Sequence, residues 1–215
     1  MEIFLDTAKI DEINIMSDFI NGVTTNPSLI AQSKIDNYDE LIEEICRMVS
    51  GPVSVEVLSN DADAMLEEGN HLSTIHSNVC VKLPCTFDGL KVCKQLSKVG
   101  IMTNLTLCFS SMQALLAAKC GATYISPFIG RLDDIGHDGI GLVEEILEIY
   151  DACGYKTKVL SASVRNISHV VQSARLGVGA ITMPAKILQQ CFLHPLTDAG
   201  LEIFQNDWNK YKKSK

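Results

Sequence analysis

VCVKLPCTFDGLKVCKQLSKVGIMTNLTL, residues 79 to 107, contains one complete repeat of an alternating fold. VCVKL, residues 79 to 83, is a short β-rich run. Leu90, Cys93, Leu96 and Val99 follow at three- and four-residue spacing, which gives a helix one apolar face. Gly100 can take the left-handed conformation that ends such a helix, and MTNLTL, residues 102 to 107, is β-rich again. Similar runs lie on either side: EIFLD (2 to 6), GVTTN (22 to 26), VSVEV (53 to 57), TYISP (123 to 127), TKVLSAS (157 to 163) and AITMP (180 to 184). Leu41, Ile42, Ile45, Met48 and Val49 mark another helix, and Gly121, Gly154 and Gly177 punctuate the later ones. Alternation predicts a parallel sheet, and eight repeats predict its closure into a (β/α)8 TIM barrel; an open doubly wound sheet is the competing architecture.

At 215 residues and 47% hydrophobic content, the chain suits one barrel domain spanning residues 1 to 215. The segment PLTDAGLEIFQNDWNKYKKSK follows the eighth unit and predicts an extra helix over 196 to 215. Thr197 is its expected cap, and Leu201, Phe204, Trp208 and Tyr211 fall along one stripe. Such a stripe suits either a lid over the barrel bottom or a contact with a neighbouring subunit.

A net charge of -8 argues against nonspecific binding to nucleic acid. The acidic N-terminus lacks the pattern of a leader, and no apolar run approaches membrane-spanning length, so a cytoplasmic, soluble protein is expected. The eight cysteines are scattered through apolar segments and read as reduced core residues. Cys80 and Cys85 lack metal-site spacing, and the histidines at 71, 76, 137, 169 and 194 form no cluster, so neither metal nor cofactor is expected.

Polar residues at the C-terminal ends of barrel strands face the mouth where such folds do chemistry. Here these are Asp6, the TTNPS run from Thr24 to Ser28, Glu56, Lys82, and the pair Asn104 and Thr106. Lys82 lies in Val81-Lys82-Leu83-Pro84, apolar enough to put an amine inside the barrel, where burial disfavours ammonium and a neutral amine can attack a ketose carbonyl. Asp6 is the candidate acid/base. Glu56 and Thr106 are placed to hold water for forming and hydrolysing an imine. Thr24, Asn26, Ser28, Asn104 and Ser126 are candidate contacts to substrate hydroxyls. Each has a plainer role: Asp6 as a helix cap, Thr24 and Thr25 as strand formers, Asn26 before Pro27 as a turn.

A second group lies in SPFIGR, residues 126 to 131, and SASVRN, residues 161 to 166. Arg131 and Arg165 can converge on one phosphate, with Ser163 adding a hydroxyl; the plainer role for each arginine is an ion pair with Asp133 or Asp134. No Rossmann or P-loop pattern is present.

The ordered set FLDTA, GVTTNPS, VSVEV, VKLP, TNLTL, SPFIGR, SASVRN and the late NDW resembles the transaldolase family over almost the whole chain. The similarity is to its short subfamily, which includes fructose-6-phosphate aldolases. The resemblance implies Lys82 as the Schiff-base lysine, Asp6 as the acid/base, and Arg131, Ser163 and Arg165 as phosphate contacts. It implies transfer of a dihydroxyacetone unit between phosphorylated sugars of pentose phosphate metabolism, with no cofactor, in a homo-oligomer resembling a decamer of two pentamers. Aldolases of this subfamily carry Gln in place of Glu56 and Tyr in place of Phe128, so this pair resembles transaldolase. A fructose-6-phosphate aldolase is the nearest alternative. A sugar-phosphate isomerase could use Asp6 or Glu56 as base but needs no buried strand lysine, and a non-catalytic binding barrel would not need the polar constellation.

Overall fold

The computed structural model describes residues 1–33 and 37–214. Eight parallel strands close in chain order: β1 Glu2–Asp6, β2 Gly22–Thr24, β3 Val53–Glu56, β4 Val79–Pro84, β5 Thr103–Cys108, β6 Tyr124–Pro127, β7 Lys158–Ser161 and β8 Ala180–Met183, with β8 paired to β1. Around them lie α1 Ile10–Met16, α2 Pro27–Ser33, α3 Tyr38–Met48, α4 Ala62–Ile75, α5 Phe87–Lys98 and α6 Ser111–Lys119. The second half adds α7 Ile129–Asp133, α8 Gly139–Cys153, α9 Ile167–Leu176, α10 Ala185–Gln190 and α11 Pro195–Lys213. This is the TIM barrel that the eight repeats predict, not the open sheet. Several strands are shorter than their β-rich runs, so Thr25, Asn26 and Ser163 lie on the loops just beyond β2 and β7.

Strand alternation sorts side chains into two apolar bodies. Outward-facing Leu5, Val23, Val55, Val81, Leu83, Leu105, Ile125 and Ile181 pack on helix residues such as Ile42, Leu72, Leu96 and Ile146. Inward-facing Phe4, Cys80, Tyr124, Leu160 and Ala180 fill the lower barrel, with the rings of Phe4 and Tyr124 edge to face at 5.7 Å. Above this plug the inward positions turn polar.

Helix starts follow side-chain capping. Thr86 accepts from Gly89 N at 3.1 Å, Asp138 from Gly141 N at 2.8 Å, and Asn166 from His169 N at 2.9 Å. Gly154 and Gly177 take φ of 68° and 73° at the ends of α8 and α9, as their positions in the sequence suggest.

Five expectations need correction. Val99 is not on the buried face of α5; it is the C-cap residue and is exposed, because the helix ends one residue earlier. Cys153 and Cys191 are exposed and Cys120 is half-buried, since they sit at the ends of outer helices; the other five cysteines are buried. Asp6 caps no helix, because α1 begins four residues later with Lys9 as its N-cap. The cap of α11 is His194, whose Nδ1 accepts from Leu196 N at 3.1 Å, while Thr197 lies inside the first turn. No residue of α11 is buried, so it forms no packed lid over the barrel. Among the described residues no helix is long and apolar enough to cross a membrane.

The inner plug is small, so removing one of its two rings leaves a void that neighbours cannot fill. Phe4→Ala is expected to cost about 3–5 kcal/mol, read from urea denaturation. A loss under about 1 kcal/mol would show that the plug collapses without strain.

Candidate active site

The polar layer begins with Asn104, which the barrel buries completely. Its Nδ2 donates to Ser54 Oγ at 3.0 Å, and its Oδ1 accepts from Ser126 Oγ at 2.7 Å. Its amide is thus engaged on both sides, and it lies beneath the mouth, lining neither of the two cavities there. One step up, the parallel register sets Glu56 beside Lys82. Lys82 Nζ lies 2.8 Å from Glu56 Oε2 and donates to the Thr25 carbonyl at 3.0 Å. The side chain of Lys82 is 6% exposed and that of Glu56 16%. Two heads this deep are stable only when paired, because each charge alone would carry its full desolvation cost.

Asp6 stands across the barrel on β1. Burial pushes its carboxyl above the ordinary value of 3.8; a hydrogen bond from Thr24 and the charge of Lys82 pull it back, and Glu56 adds to the rise. Thr24 Oγ donates to Asp6 Oδ1 at 2.7 Å and stands 2.6 Å from Thr182 Oγ. With its proton given to Asp6, Thr24 accepts from Thr182. Thr106 Oγ1 is buried and has no hydrogen-bond partner among the described residues.

Two connected cavities fill the mouth. One of ≈ 190 Å³ runs from Asp6 and Lys82 past Thr24 and Ser126 to Arg131, Ser163 and Arg165. The other, ≈ 400 Å³, shares Asn26, Lys82, Phe128 and Arg131 and adds Ser28, Glu56 and Thr106. Asn26 also keeps its turn role, since its Oδ1 accepts from Leu29 N at 2.9 Å at the start of α2. Ser28 is exposed at the outer rim. The structure therefore gathers twelve of the thirteen candidate residues around one opening, with Asn104 below it.

The far end of the smaller cavity is cationic. Arg131 lies with its guanidinium 5.0 Å from the Phe128 ring centre, and Arg165 Nη2 pairs with Asp134 Oδ2 at 3.0 Å. The plainer reading of Arg165 as an ion-pair partner is thus also present. Both partners are more than half exposed, so the pair is weak and its arginine can be shared with an incoming anion. Gly130 makes this end possible: a Cβ there would sit 2.1 Å from Ser163 O and 2.6 Å from Arg165 Cγ. Ser163 itself holds a φ of 59°, an uncommon conformation for a residue with a Cβ.

The residues missed in sequence are Thr182, Ser54 and the Thr25 carbonyl. Thr182 and Ser54 have inward parity with Ala180 and Glu56 in their strands, and that signal was readable; the carbonyl carried none. Among the described residues no group of three or more His, Cys, Asp or Glu side chains could hold a metal ion.

A closed parallel barrel with a buried lysine–carboxylate pair and arginines at its mouth defines a TIM-barrel protein of the class that gathers its polar side chains at the C-terminal strand ends. The family described as transaldolase/fructose-6-phosphate aldolase matches residues 3–215. The chain is 54% identical over 213 residues to a probable transaldolase of Rhodospirillum centenum, covering 98% of this chain and 92% of that protein. It is 52% identical over 215 residues to a probable transaldolase of Kosmotoga olearia, covering 99% and 98%. In fold it resembles an inosine 5'-monophosphate dehydrogenase of Legionella pneumophila, with a TM-score of 0.59 at 12% identity; the match covers 87% of this chain and 58% of that one. The chain belongs to the transaldolase/fructose-6-phosphate aldolase family, and it is an enzyme of that family.

The raised Asp6 carboxyl has a consequence for stability. As pH rises, the unfolded chain ionises this group first and the folded state later, so stability present below the ordinary aspartate range is lost as pH climbs through the folded value. Asp6→Asn is expected to raise the urea midpoint at neutral pH, with the gain shrinking as pH falls toward 3.8. A gain that grows on acidification would contradict this.

Proposed function

We propose that this enzyme is a transaldolase that moves a dihydroxyacetone unit from fructose 6-phosphate or sedoheptulose 7-phosphate to erythrose 4-phosphate or glyceraldehyde 3-phosphate. The observation that carries the reading is the Lys82 head, buried against Glu56 at 2.8 Å in a mouth that holds Asp6 and ends on Arg131, Ser163 and Arg165.

Glu56 takes a proton from the Lys82 ammonium, and the freed amine attacks the ketose carbonyl carbon. Glu56 returns that proton to the carbinolamine hydroxyl, which leaves as water and gives an iminium on Nζ. Asp6 removes the proton of the hydroxyl beyond the scissile bond; the carbon–carbon bond breaks, its electron pair enters the iminium to form an enamine, and the aldehyde leaves. A carboxyl lifted above its ordinary range by burial suits a group that must both take and return a proton. The acceptor aldehyde then receives the enamine carbon, and Asp6 gives its proton to the new alkoxide. Water hydrolyses the final iminium. Glu56 and the unpartnered Thr106 hydroxyl, both lining the larger cavity beside Lys82, suit it for holding that water.

Thr24, Asn26, Ser28, Ser126 and Phe128 contact the sugar, and Arg131, Ser163 and Arg165 hold its phosphate. Asn104 acts beneath them by fixing Ser126. Phe128 offers no phenolic proton near the enamine, which favours capture by an acceptor over release of free dihydroxyacetone. The reading implies a cytoplasmic homo-oligomer, of two pentamers by family resemblance. The exposed stripe of Leu201, Phe204 and Trp208 on α11 then lies at a subunit contact.

Chromatography after incubation with fructose 6-phosphate is expected to find sedoheptulose 7-phosphate when erythrose 4-phosphate is supplied and little dihydroxyacetone without it. Borohydride is expected to leave a three-carbon adduct on Lys82 in the peptide map. Phe128→Tyr and Glu56→Gln should shift the products toward free dihydroxyacetone. Abundant dihydroxyacetone from the unaltered enzyme would favour the aldolase alternative, and an adduct on another lysine would remove Lys82 from its role. Light scattering is expected to find an oligomer that dissociates when residues after Leu196 are deleted; a fully active monomer indifferent to the deletion would refute the contact.

A further inference from the structure

His169 is an unusual side chain to find beside a cationic rim, because it is buried at 6% exposure and lines neither cavity. It lies in the first turn of α9, its backbone N–H capped by Asn166. The backbone N–H of Arg165 donates to its Nδ1 at 3.2 Å. Nδ1 must therefore be bare, which leaves Nε2 to carry the proton toward Asp133 Oδ2, 2.8 Å away. The other Asp133 oxygen accepts from Gly139 N at 3.0 Å. The chain of contacts runs from the start of α8, through the end of α7, to the loop after β7. It joins the two segments that carry Arg131 and Arg165, and it does so next to Ser163 with its φ of 59°.

We propose that His169 is a positioning residue that sets the Arg165 backbone, and so the substrate's phosphate group, relative to Lys82. This rests on the reading of Arg165 as a phosphate contact. Without the imidazole, the Arg165 N–H loses its acceptor and Asp133 loses a donor; the loop still meets α7 through Gly130 N on Ser163 O at 3.1 Å, but Arg165 itself is then held to it only by its exposed side-chain pair with Asp134. The reacting end of the substrate touches none of this, so the effect is confined to phosphorylated substrates.

The test compares kcat and KM for fructose 6-phosphate and for unphosphorylated fructose, with glyceraldehyde as the acceptor. His169→Ala is expected to lower kcat/KM for the phosphorylated donor about tenfold, mainly through KM. Fructose turnover and borohydride trapping at Lys82 should be unchanged. Two variants guard against misfolding. The Oδ1 of His169→Asn can take the place of Nδ1 and accept from Arg165 N, so it should restore the low KM. The amide of His169→Gln takes the place of Nε2, keeps only the Asp133 contact, and should not. Arg165→Ala is the control for the underlying reading. If Arg165→Ala discriminates against the phosphorylated donor but the His169 variants lose both donors equally, or Asn rescues no better than Gln, the positioning role is overturned. If Arg165→Ala itself impairs both donors equally, the phosphate reading falls and takes this inference with it.

Discussion

Everything at the mouth of this barrel depends on a lysine and a carboxylate held 2.8 Å apart inside a protein interior. Such a pair is not what stabilises a fold, since the cost of removing two charges from water roughly cancels their attraction. The outer apolar body, strands against helices, offsets that cost and keeps β3 and β4 in the register that sets Glu56 opposite Lys82. The pair is held from both sides: the strand register sets Glu56 beside Lys82, and the Thr25 carbonyl takes a second Lys82 proton at 3.0 Å. The same confinement lifts the Asp6 carboxyl and leaves Thr106 unsatisfied. The state of all four polar groups thus follows from their burial at the mouth.

The inner and outer faces of the strands divide the labour. Phe4, Cys80, Tyr124 and Leu160 close the lower barrel, and the Ser54–Asn104–Ser126 chain forms a hydrogen-bonded floor above them. A fully satisfied floor of this kind is rigid, because rotating any member would orphan a buried polar atom. Lys82 therefore stands above a fixed base, and freedom is left to the loops beyond the strands.

Those loops are held differently at the cationic end. Arg165 has an exposed side chain whose ion pair with Asp134 is easily exchanged, but a backbone anchored through a buried imidazole. Gly130 permits this crowding, because any side chain there would strike the Ser163 carbonyl. The backbone of Arg165 is thus anchored while its guanidinium, more than half exposed, stays open to other partners.

How far the sequence reached can be judged residue by residue. Strand–helix alternation, helix ends at Gly154 and Gly177, and the inward parity of Asp6, Glu56 and Lys82 were legible, because periodicity is a property of neighbouring residues along the chain. SPFIGR and SASVRN marked Arg131, Ser163 and Arg165 as a converging group, and the family resemblance implied the same set. What the sequence left open are contacts across the closed sheet: Thr182 on Thr24, the Thr25 carbonyl on Lys82, Asn104 turned to the floor, and His169 bridging Arg165 and Asp133. These partners are set by the register in which eight strands close and by helices packing from outside. Local pattern determined which way each side chain faces; only closure of the barrel decided what it meets.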